Sequence, residues 1–116
     1  MIQSNLEQEF HRQMLIIYSK GLDLPKPYRA NRFKKMVEEL GGKATADKLL
    51  SSAKPSKGFT ELFLHGGKDA LKISVEYLVL TNPWNTLFTE EQLEKARKRL
   101  IEVGMQLPDS VNQSID

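Results

Sequence analysis

The chain has 116 residues, 40% of them hydrophobic, and a net charge of +2, which suits one domain folded around a single core. It contains no Cys, which removes disulfides, thiolate catalysis and Cys-type zinc sites, and its two histidines, His11 and His65, stand far apart with no carboxylate cluster beside them; neither a metal nor a cofactor is expected. No run approaches the ~20 apolar residues of a membrane span, and the N-terminus lacks the basic, apolar, small-residue order of a secretory signal, so the expectation is a cytoplasmic protein without a membrane partner.

Ser4-Asn5-Leu6-Glu7 reads as a capping box that opens a helix running to about Ser19. Residues 1–21 are therefore taken as an N-terminal amphipathic helix. Leu6, Phe10, Met14 and Ile17 form its stripe, and Leu15, Ile16 and Tyr18 widen it. A helix this apolar wants burial on two sides, in the core or against a second copy. Phe10, Met14, Ile17 and Tyr18 are accordingly the candidate residues for a protein partner or self-association.

A core domain is expected over residues 22–104. Leu22 to Pro27 is a stiff connector, because two prolines favour extended backbone. The next helix is predicted over Tyr28 to Leu40, with Phe33, Met36, Val37 and Leu40 on one face and Gly41-Gly42 closing it. A short helix follows, with Ala46, Leu49, Leu50 and Ala53 inward. Lys54 to Gly58 is a turn, and Ser56 is placed to cap another short helix holding Phe59, Leu62 and Phe63, closed by His65-Gly66-Gly67.

The stretch Asp69 to Leu100 holds the densest apolar run and the only Trp. Leu71 to Leu80 fits both a strand alternation and a helical spacing. No second strand is evident to pair with it, and Ser74 is suited to cap a helix starting at Val75, so helix is the reading. Asn82-Pro83 stops it. Trp84, Leu87 and Phe88 then point one way as an aromatic plug, which is more often core than a ligand pocket. Thr89-Glu90-Glu91-Gln92 is a second capping box, and Leu93, Ala96, Leu100 and Val103 give the stripe of the helix that ends at Gly104. Glu91–Lys95 and Glu94–Lys98 are spaced as i, i+4 pairs. Residues 105–116 carry no stripe and read as a flexible tail. The fold class is all-α: a compact bundle of about six short helices with a helix-turn-helix-like central unit.

Charge is uneven along this plan. Lys20 to Lys57 holds ten Lys/Arg against four Asp/Glu, while Gly58 to Asp116 holds six against nine. Arg29, Arg32, Lys43, Lys48, Lys54 and Lys57 are the candidate contacts to a DNA backbone, of a salt-dependent and sequence-independent kind. The competing reading makes them a solvated face. For Arg29, four residues before Phe33, the favoured reading is a stem packed on the core with its head paired to a carboxylate or a helix C-terminus, and the other is an anchored cation presented at a partner. His65 at a helix end suits free carbonyls, and His11 has no functional reading. No carboxylate pair invites acid–base chemistry, and the Gly pairs look like helix ends, not phosphate loops.

YRANRF (Tyr28–Phe33), GGKATADKLL (Gly41–Leu50), GFTEL (Gly58–Leu62), VEYLVL (Val75–Leu80) and NPWNTLFTEEQLEKARKRL (Asn82–Leu100) occur in an order that resembles a small all-helical module of bacterial proteins, itself functionally uncharacterised. That module is found alone or attached to larger proteins, some of them nuclease- or defence-like. The resemblance covers about two thirds of the chain, implies no catalytic residue, and points by association to a DNA-associated or partner-binding accessory role. The expectation is a non-enzymatic interaction module that docks a protein partner, with DNA-backbone binding through the basic 29–57 region as the alternative.

Overall fold

The computed structural model describes residues 4–108 and, among them, six α-helices, two 3-10 turns and no strand. The helices are α1 (Ser4–Leu22), α2 (Asn31–Leu40), α3 (Gly42–Ser51), α4 (Lys57–Ala70), α5 (Val75–Val79) and α6 (Glu90–Glu102). No described helix is long and apolar enough to cross a membrane. The all-α expectation holds. The ambiguous 71–80 run is a 3-10 turn over Leu71–Ile73, a cap at Ser74 and then α5, with the Ser74 hydroxyl accepting from the Tyr77 N–H at 3.2 Å.

Boundaries shift where tertiary contacts intervene. α2 starts at Asn31 and not at Tyr28, because Tyr28 is bound elsewhere: its N–H donates to the Gly21 carbonyl at 2.8 Å. α3 ends at Ser51, so Ala53, expected inward, is exposed in the following turn. α4 begins where Ser56 caps it, the hydroxyl accepting from the Phe59 N–H at 3.0 Å. It kinks at Gly67 (φ 73°, a conformation natural to glycine) and resumes to Ala70 instead of closing there. The expected tail is partly core: Met105 and Pro108 are buried and Leu107 packs against the cluster. Residues 109–116, and the cap expected from the Ser4 side chain, lie outside the described residues.

One core serves all six helices. Phe10 and Met14 of α1 are fully buried beside Val37, Leu50, Leu71 and Leu100. The Phe10 ring meets Phe88 edge-on at 5.4 Å and Trp84 at 5.9 Å, so the predicted aromatic plug packs on the core, with Phe88 buried in it and Trp84 and Leu87 half-buried at its edge. α1 and α3 approach unusually closely. A Cβ on Gly42 would lie 2.6 Å from the His11 Cα. The same approach lets the Gly42 N–H donate to His11 Nδ1 at 2.9 Å, which satisfies a free donor at the start of α3 and gives His11 a structural task. The capping box of α6 forms in both directions, and Gln92 also donates to Asp47 of α3 at 2.8 Å.

The strongest polar constraint is internal. Arg99 on α6 is 4% exposed and Glu76 on α5 2%. Arg99 Nη1 donates to Glu76 Oε2 at 3.1 Å and to the Leu49 carbonyl at 3.0 Å, and Nη2 donates to the Ser52 and Lys54 carbonyls at 2.7 and 3.2 Å. Burial pushes the Glu76 carboxyl above its usual range, while its own backbone N–H and the Arg99 charge pull it back. Surface pairs such as Lys34–Glu38 contribute ~0–1 kcal/mol each. Those on α6 run from Arg97 to Glu90 and Glu94, instead of the expected Glu91–Lys95 and Glu94–Lys98.

Two stability changes are expected. Arg99→Met leaves a buried carboxylate and three carbonyls without their donor, and urea unfolding should show a loss of about 3–5 kcal/mol; a loss below ~1 kcal/mol would deny the pair this role. Gly42→Ala should cost about 1–3 kcal/mol by forcing α1 and α3 apart, against no loss if the backbones yield freely.

Candidate functional site

The extended connector sets up a cleft. Pro25 and Pro27 keep the chain from continuing α1, and Tyr28 then fixes where it goes. Gly21 is buried and passes so close to the Tyr28 carbonyl that a Cβ on it would lie 2.8 Å from that oxygen. On the other side the Tyr28 hydroxyl donates to Glu61 Oε1 of α4 at 3.0 Å, and its ring lies 5.4 Å from that of His65. His65 Nε2 bonds the Lys26 carbonyl, so this histidine serves a carbonyl of the connector and not one at its own helix end. The connector is thereby tied to α1 and to α4, while α2 departs from it at an angle that leaves α2 and the start of α4 facing each other across open space.

The cleft has a volume of about 490 Å³, within the size range of sites that enclose a ligand-sized group. Its floor is apolar: Ile17 from α1, Phe33 and Met36 from α2, Leu49 from α3, and Ile73 beyond them, all half-buried, backed by the buried Phe59 and Leu62. Its rim is basic. Arg29, Arg32 and Lys57 line it. Arg29 and Arg32 are exposed and have no carboxylate partner among the described residues; Lys57 stands 4.0 Å from Glu61, the limit of an ion pair. The favoured reading of Arg29, a packed stem with a paired head, is therefore corrected: the residue is exposed and its head unpaired among these residues. Two helices, α2 and α4, also begin here. α2 has Ala30 at its N-cap, with no side-chain cap, so the first N–H groups of Asn31 to Phe33 keep their hydrogen-bonding capacity at the cleft wall.

Two acids line the same space and both are engaged. Glu61 accepts from Tyr28, and Glu76 is held by Arg99. Desolvation, followed by the hydrogen bond to Glu61 and its charge, pushes the Tyr28 phenol from 10.0 up to about 12. The phenol stays a neutral donor throughout the ordinary pH range. Among the described residues no three His, Cys, Asp or Glu side chains gather as a metal site.

The six predicted cations divide. Arg29, Arg32 and Lys57 come together at the rim. Lys43 does not join them: its ammonium pairs with Asp47 at 2.9 Å and sits 5.0 Å from the Phe88 ring centroid, on the side of the molecule where His11 meets Gly42. Lys48 and Lys54 are exposed but line no part of the cleft, and Lys54 contributes its carbonyl to Arg99. The four predicted partner contacts divide as well. Phe10 and Met14 are fully buried and offer a partner no surface, which corrects their assignment; the core consumes that face of α1. Ile17 is on the cleft floor, and Tyr18 is half-buried with its hydroxyl donating to Asn31 Oδ1 at 3.1 Å and Lys34 over its ring at 5.1 Å. The sequence reading missed Glu76–Arg99 and Tyr28–Glu61. One signal was present for the first: Arg99 falls three residues after Ala96, on the edge of the α6 stripe. Tyr28–Glu61 links residues 33 apart and has no local signature.

No protein-family model, curated protein or solved structure matches the chain.

The folded chain holds the Tyr28 proton longer than an unfolded one, so this contribution to stability is complete below pH 10 and is lost as pH rises through about 12. An alkaline titration followed by phenolate absorbance should contain a component near pH 12 that Tyr28→Phe lacks and that Glu61→Gln moves down. A spectrum in which Tyr28→Phe removes only the earliest-titrating component would contradict this.

Proposed function

We propose that the chain is a non-enzymatic helical module that docks a protein partner, and that it receives the partner in the cleft between α2 and α4 and not along the first helix. The observation that carries this reading is the floor: half-buried apolar side chains from four separate elements converge on one solvent-open space of about 490 Å³. The acids beside it are spoken for by Tyr28 and Arg99, which supports binding over acid–base work at the same place. The resemblance to bacterial helical modules adds support by association alone. A second copy of the chain is one form such a partner takes. Cytoplasmic residence belongs to the same proposal and rests on the sequence reading.

The DNA reading remains second, and one observation favours it: Arg29, Arg32 and Lys57 share a rim. Against it, Lys43 is committed to Asp47, Lys48 and Lys54 stand apart from that rim, and an apolar floor gives a phosphate backbone nothing to contact.

The test is a photo-crosslinking amino acid placed at Lys57 on the rim, and in a second variant at Lys98 on the exposed side of α6, in cells of the source organism. Trapping of a protein from position 57 but not from position 98 is expected. Equal trapping at both positions, or none at either, would remove the docking reading.

A further inference from the structure

We infer that what enters the cleft is an acidic segment of the partner carrying one apolar anchor, its carboxylates read by Arg29 and Arg32 and its anchor seated on the Phe33–Met36–Leu49 floor. The inference rests on the docking reading and specifies its chemistry.

Charge complementarity carries it. Three cations line the space, and of the two acids lining it only Glu61 is exposed, since Glu76 is buried against Arg99. Glu61 is also the acceptor of the Tyr28 hydroxyl, and its nearest cation is Lys57, 4.0 Å away. Neither arginine has an internal partner among the described residues, whereas Arg12, Arg97 and Arg99 all do. A guanidinium presents a planar fork of donors that matches a carboxylate in two parallel hydrogen bonds. Arg29 and Arg32 flank the N-terminus of α2, where Ala30 supplies no capping oxygen and the backbone itself favours negative charge. Cationic side chains and helix end therefore favour the same sign of ligand, on the side of the cleft where the floor begins.

The floor decides between anionic partners. Phe33, Met36 and Leu49 are only half-buried, so an apolar side chain entering from solvent removes area from water on both surfaces. A methionine among them adapts to anchors of different shape. A duplex backbone would satisfy the arginines and leave this floor wet. A peptide with a Leu, Ile or Phe beside Asp or Glu satisfies both.

A random 12-residue peptide library selected on the full chain tests this, with amide shifts of the selected peptides mapped at low and near-physiological salt. Expected are peptides rich in Asp and Glu around one large apolar residue, shifting amides of residues 29–36 and 57–62. Their affinity should fall about tenfold for each of Arg29→Gln and Arg32→Gln, fall with added salt, and stay unchanged in Lys98→Gln. Both arginines are exposed, so these variants fold. Selected peptides of neutral or basic composition that map to the cleft would overturn the acidic assignment and leave docking intact. A library that yields nothing at the cleft would sink both. A DNA duplex that shifts the same amides more strongly than any selected peptide would overturn the inference in favour of the nucleic-acid reading.

Discussion

Arg99 is the point at which the bundle is tied together. It projects from the last turn of α6 into a buried place, and its guanidinium there satisfies the Glu76 carboxylate and three backbone carbonyls at once. The carbonyl of Leu49 belongs to the last turn of α3, where acceptors have no intrahelical donor. Those of Ser52 and Lys54 belong to the turn that follows. Arg99 thus serves carbonyls at and beyond the end of α3, beside Lys95 on the Ser51 carbonyl, and fixes the path by which the chain leaves α3 and reaches Ser56. A buried charge is tolerated only when it is well hydrogen-bonded, and here each Nη nitrogen of Arg99 makes two bonds.

The cleft inherits its geometry from that knot. Its α4 wall starts at Ser56 and Lys57, two residues beyond the last carbonyl held by Arg99, and Glu76 is itself part of the lining. The opposite wall is set independently by Tyr28, with Gly21 beneath its carbonyl and Glu61 on its hydroxyl. Neither wall is held by apolar packing alone, so the space between them does not have to collapse to stabilise the fold. An open, half-buried floor beside a closed core follows from this division. The core takes Phe10, Met14 and Val37 completely, and leaves Phe33, Met36 and Leu49 at its edge.

The legibility of the sequence varied with the range of the interactions. Capping at Ser56, Ser74 and Thr89 was readable because an oxygen and an N–H three residues apart decide it. The start of α2 was not, since Tyr28 has helical neighbours in sequence but hydrogen-bonds to Gly21 and Glu61 in space. Ala53 looked inward by spacing, yet α3 stops before it because Arg99 draws the chain away. The α1 stripe was correctly seen as too apolar for one face, but spacing alone cannot tell a second copy from Phe88 and Trp84, which cover it.

The sequence by itself determined the helical class, the caps, the breakers and the run of cations between Lys20 and Lys57, because periodicity, local hydrogen bonds and composition are properties of neighbours along the chain. The tertiary structure alone decided which of those cations share a rim, which apolar residues stay open beside them, and that one arginine is buried. Each of these depends on residues dozens of positions apart meeting in space. The energy of such a meeting, in area removed from water and in polar groups satisfied or left bare, exists only once the helices are packed.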